Sequence, residues 1–142
     1  MKMKRILSQT FVILSALSIL SVSIMAFDDP QSVMDLVQVH LTNNDAFSSI
    51  RGVYGGAGFA IAVSLIYSFR KHTENALAFL ILLWGSYVLS RMITIFREGP
   101  LGEFGNFWIK TETLLFTVSC ALYVWNKTSR KQSAVIQNPS NV

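Results

Sequence analysis

Four long apolar runs, at 6–27, 50–69, 76–96 and 107–125, alternate with short polar stretches along the chain. Each run is close to the roughly 20 residues that an α-helix needs to cross a hydrocarbon core. Stretches such as "ALAFLILLWGSYVLS" lack the strict alternation of a half-buried strand, so all four are read as helices. The polar stretch "DDPQSVMDLVQVHLTNND" does not cross. There Asp29 can cap a short helix with Pro30 at its first position, and Val33, Leu36 and Val37 give that helix one apolar side to lay along the outer membrane surface. A loose loop is the alternative. "RKHTEN" has room only for a tight helical hairpin, and after Lys127 the hydrophobic period is lost. The expected fold is an all-α membrane protein: a four-transmembrane-helix bundle over residues 1–127, with a short outer interfacial helix and a flexible cytoplasmic tail at 128–142.

Composition agrees, because 51% hydrophobic and 14% charged residues in a 142-residue chain leave more apolar surface than a water-soluble domain of this size could hide. Charge then orients the spans. Lys2, Lys4, Arg5, Arg70, Lys71, Lys127, Arg130 and Lys131, against Glu74, lie on one side of the spans. The other side carries Asp28, Asp29, Asp35, Asp45, Glu98 and Glu103 against Arg97 and Lys110. The positive-inside tendency therefore predicts both termini in the cytoplasm. This distribution accounts for the net charge of +4 as membrane-flanking residues with lipids as partners, and no aromatic-rich basic surface points to nucleic acid. Trp108 and Trp125, about 25 Å apart on a helix, suit interfacial anchors or ordinary packing.

The first run has the basic start and apolar middle of a secretory signal, and cleavage after Ala26 is conceivable. Its length and Ile24 in the cleavage context favour a retained anchor instead. Ser15, Ser18 and Ser21 would then offer a small-residue side to a neighbouring helix.

"SSIRGVYGGAGFA" resembles a phosphate-binding loop only superficially, since no strand precedes it, no lysine and hydroxyl follow it, and it runs into a membrane span. Gly52, Gly56, Ala60 and Ser64 instead recur every four residues and predict a shallow ridge for close helix packing. Packing does not explain Arg51. That arginine at the outer end of the second span, Arg91 in the third and Glu112 in the fourth fall at similar depth. Ionisable groups within spans cost roughly 2.5–3.5 kcal/mol on insertion scales, so they pair, face the interior or line a wet cavity. Trp84, Tyr87, Arg91, Thr94 and Glu98 share one helical face, and Trp108, Glu112, Ser119 and Tyr123 another. Two readings follow: Glu112 bridges the arginines to hold the helices together, or the group forms a pocket with excess positive charge for an anionic lipid headgroup or carboxylate, with hydroxyls from Tyr54 and Tyr87.

Other chemistry finds little support. His40 and His72 are expected on opposite sides of the membrane and Cys120 is alone within a span, so neither a metal site nor a disulfide is expected. No serine meets a histidine and an acid at one depth. We therefore expect no cofactor, and an accessory role is favoured over an enzyme, with chemistry by an arginine–glutamate pair left open as the alternative.

"NNDAFSSIRGVYGGAGFA", "LSRMITIFREGPLGEFG" and the glutamate that follows resemble the small bacterial four-span membrane proteins grouped as domain of unknown function 4345. The likeness runs from about Asp29 to Trp125 and places family positions at Asn44, Arg51, Tyr54, Gly55, Arg91, Gly99, Pro100 and Glu112. It implies a bacterial inner-membrane protein, and the family has no established activity. The functional expectation is a ligand- or lipid-binding or accessory membrane component, with a membrane-protein partner or a homo-oligomer as further expectations. The alternative is a subunit of a small oligomeric transporter or channel, although the apolar cytoplasmic halves of spans two and three argue against a pore within one chain.

Overall fold

The structure, a computed structural model, describes the backbone of residues 2–137 and the side chains of residues 3–128. The described residues are helical or in turns, without a strand. In chain order the helices are α1 (Lys2–Asp28), α2 (Pro30–Asp35), α3 (Asn44–Ile50), a π-helical segment (Arg51–Ala57) continuing into α4 (Gly58–Ser68), α5 (Thr73–Arg97) and α6 (Glu103–Gln137). Four stretches are long and apolar enough to span a membrane: Met3–Asp28, Asn44–Ser68, Thr73–Arg97 and Glu103–Thr128. All four expected spans are present, and the second starts earlier than its apolar run. The Asn43 side chain caps α3 by accepting from the Ala46 N–H at 2.8 Å, so the helix begins in polar sequence before the hydrophobic residues do. α6 continues as helix into the segment read as a tail; residues 138–142 of that segment lie outside the described residues.

The chain forms two compact units, one of residues 11–70 and one of the residues up to Thr10 together with those from Lys71 onward. In the first unit, α2 starts as expected, with Asp29 accepting from the Gln31 N–H and Pro30 in the first turn. Its apolar face differs from the sequence reading. Val33 and Met34 turn inward against Ala26 and Leu41, joined by Met25, Ala46, Phe47 and Ile50, whereas Leu36 and Val37 are exposed. α2 ends at Asp35 with Leu36 as its C-cap, and the chain leaves the helical course in the turn that follows. A Schellman-type turn ends it: the Val39 N–H donates back to Met34 O and the Gln38 N–H to Asp35 O, with Gln38 at a left-handed φ of 59°.

Of the serines expected on one side of α1, Ser15 is buried while Ser18 and Ser21 are exposed and bond back to their own helix. The buried positions of α1 are Ser8, Val12, Ser15, Ala16, Ser23 and Ala26, a stripe at spacings of three, four and seven.

In the second unit, α5 and α6 pack along each other as an antiparallel pair joined by a short turn, where Gly99 takes a φ of 104° that suits glycine. An added Cβ on Gly85 would lie 3.1 Å from the Phe116 ring, so glycine allows the two helices to approach there. Near the other end of the pair, the Asn126 amide donates to Ser8 Oγ at 2.7 Å, and Lys4 Nζ sits 4.8 Å from the Trp125 ring centroid. Thr94 on α5 and Thr111, Thr113, Thr117 and Thr128 on α6 each donate their hydroxyl to the carbonyl four residues earlier. Each is thereby satisfied within its own helix.

Candidate functional site

The strongest polar feature of the α5–α6 pair is the contact between Arg91 and Glu112. Arg91 Nε donates to Glu112 Oε2 at 2.5 Å and Nη2 donates to Oε1 at 2.8 Å, a two-armed fork in which both carboxylate oxygens are engaged. The Glu112 side chain is 4% exposed and that of Arg91 is 23% exposed. The carboxylate is thus enclosed, while the guanidinium keeps an outward edge. Its Nη1 has no hydrogen-bond acceptor among the described residues. Opposite charges brought this close cancel, so the pair offers donors without a net charge.

Tyr87, one turn from Arg91 on α5, is exposed and its ring lies 6.0 Å from that of Trp84. Trp84 is buried, and its indole N–H finds no partner among the described residues.

Arg51 and Tyr54 belong to the unit of residues 11–70. Arg51 opens the π-helical segment and donates from Nε to the carbonyl of Phe27 at 3.0 Å. Among the described residues of its own unit, no carboxylate lies within 4.0 Å of it. Arg51 is half-buried, anchored by one N–H and not neutralised within that unit. Tyr54, three residues on, is exposed.

The positions of the predicted packing ridge lie open within their own unit. Added Cβ atoms on Gly52 and Gly56 would meet nothing within 4 Å, and Ala60 and Ser64 are exposed, with the Ser64 hydroxyl bonded to Ala60 O. Close approach occurs instead at Gly55 and Gly58. A Cβ on Gly55 would lie 2.8 Å from the Phe27 ring, and one on Gly58 would lie 3.3 Å from Ser23 Cβ. The π-helical segment explains the shift. Its i→i+5 pattern encloses one more residue than an α-turn, so a four-residue period counted across it no longer follows one face. Ser23 secures this arrangement by donating its hydroxyl to Gly55 O at 2.6 Å in a buried setting. The sequence reading missed Ser23, Gly55 as a contact and the wide turn itself; four glycines within 52–58 were the available signal, since glycine lowers helix propensity and tolerates irregular turns.

Among the described residues no group of three or more histidine, cysteine or acidic side chains is placed to hold a metal ion.

Across residues 7–125 the sequence matches the family described as Domain of unknown function (DUF4345). The chain belongs to this family. Membership covers all four membrane-spanning stretches almost entirely, together with α2 and the Arg91–Glu112 pair. No curated protein and no solved structure matches this DUF4345 chain. It is a multi-pass membrane protein by its four apolar helices.

Proposed function

We propose that the protein is an accessory component of the bacterial inner membrane, with both termini cytoplasmic, that holds an anionic lipid headgroup or carboxylate at Arg51. The observation that carries this reading is the unspent charge of Arg51: one N–H goes to a carbonyl, and no described carboxylate of its own unit neutralises the rest. Keeping such a cation within a span is costly unless an anion or water meets it. Its distance from the end of its span supports a phosphate or carboxylate as that partner, because Asn44 starts the spanning helix and Arg51 follows about two turns later. Tyr54 is near enough in sequence to add a hydroxyl. Arg91 contributes differently, since Glu112 balances its charge and the pair serves the cohesion of α5 and α6.

The test is native mass spectrometry of the protein in phosphatidylcholine nanodiscs titrated with phosphatidylglycerol. Wild type should retain phosphatidylglycerol, Arg51→Lys should retain part of it, and Arg51→Ala should lose most of it while helical content is unchanged. Equal retention by wild type and a folded Arg51→Ala would overturn the assignment.

A further inference from the structure

We propose that the turn formed by Leu36, Val37 and Val39 is a membrane-interface anchor, a preformed apolar wedge that enters the lipid at the face where α1 ends and α3 begins. It is independent of the anion site at Arg51.

The first support is connectivity. The turn lies between two spanning stretches, one ending at Asp28 and the next starting at Asn44, so both of its ends are tied to the same membrane face. The lipid surface is within reach of a segment this short.

The second is that the segment has two apolar sides. Val33, Met34 and Leu41 are buried and already form the inner packing of the cap with Ala26. Leu36, Val37 and Val39 are a separate set, exposed at 47%, 48% and 48%. Three large apolar residues within four consecutive positions are an unusual choice for a turn facing only water.

The third is that the N–H groups behind them are already satisfied. The N–H groups of Val37, Gln38 and Val39 donate to Met34 O, Asp35 O and Met34 O at 3.0–3.1 Å. Gln31 braces the turn: its amide donates to Asp35 Oδ1 at 2.6 Å and to Val39 O at 2.9 Å, and its own carbonyl oxygen accepts from the Leu41 N–H at 2.9 Å. Unpaired peptide groups are what normally keep an irregular turn out of an apolar medium, and here the N–H groups of residues 37–39 and the Val39 carbonyl have partners before lipid is met. The same bonds fix the shape of the wedge, so little ordering is left for insertion to impose. Exposed Gln38 and His40 interleave with the apolar side chains, as expected for a segment at the interface rather than in the hydrocarbon centre.

The test uses the full chain in phosphatidylcholine–phosphatidylglycerol nanodiscs, with Cys120→Ala as background. Single cysteines at Leu36, Val37, Val39 and Thr42 carry a nitroxide, and power saturation compares accessibility to oxygen with accessibility to a water-soluble nickel chelate. Oxygen should exceed the chelate several-fold at Leu36, Val37 and Val39, with the order reversed at Thr42. A chelate preference at all four positions would place the turn in water and overturn the proposal. Exclusion of both reagents at Leu36, Val37 and Val39 would also overturn it, because the covering surface would then be protein, either a second copy or a partner. Should one labelled variant misfold by circular dichroism, the other positions decide; Val37→Trp quenched by brominated lipid more than by aqueous acrylamide gives an independent measure.

Discussion

The Ser23 hydroxyl donates to the Gly55 carbonyl, thirty-two residues later in the chain, and so ties α1 to the wide turn that opens the second spanning helix. This contact places Gly55, rather than Gly56, against α1. Gly55→Leu should therefore lower the unfolding temperature clearly, on the order of the ~1–3 kcal/mol typical of overpacking, because its Cβ would meet the Phe27 ring. Gly52→Leu and Gly56→Leu should remain near wild type, within ~0.5 kcal/mol as at other open positions. Thermal unfolding in detergent measures all three, and Phe27→Ala should recover part of the Gly55→Leu loss by removing the ring.

Arg91 and Glu112 should behave as one unit. Removing Arg91 leaves the enclosed carboxylate alone and removing Glu112 leaves a cation alone within a span, against a loss of ~3–5 kcal/mol for buried pairs in general. Arg91→Met and Glu112→Gln should each destabilise strongly, and the double substitution should cost much less than the two losses added together. A double-mutant cycle on thermal stability in nanodiscs reads the coupling; additive losses would show that the two groups act separately.

The charge asymmetry makes a topological prediction. A reporter active only in the cytoplasm should work when fused after Val142 or inserted between Lys71 and Thr73, and should be silent between Gly99 and Gly102. The opposite pattern would invert the assigned orientation without altering the helices themselves.

The spans were legible in the sequence because membrane crossing is a property of length and apolarity, and both are linear quantities. Arg91 and Glu112 were legible for a related reason, since ionisable residues in apolar runs stand out and the hairpin between them is short. The packing of Gly52 and Gly56 was not, because a fixed period presumes one helical geometry and the turn at 51–57 has another. Nor was the inward turn of Val33 and Met34 legible, which depends on α2 stopping after Asp35 with a glutamine, not a glycine, at the left-handed position. The clamp by Gln31 had no sequence signature, since its partners at Val39 and Leu41 are backbone groups that any residue carries.

The hydroxyls on α6 that bond back to their own helix bear on how the protein is made. A threonine that brings its own acceptor can leave the insertion machinery without waiting for a neighbouring helix. An arginine cannot do so cheaply, and the partner of Arg91 is synthesised 21 residues after it. Helix α5 released alone would expose an unpaired cation to lipid, whereas α5 and α6 released together carry the charge already matched. The energetically sensible unit of delivery to the bilayer is therefore the α5–α6 hairpin.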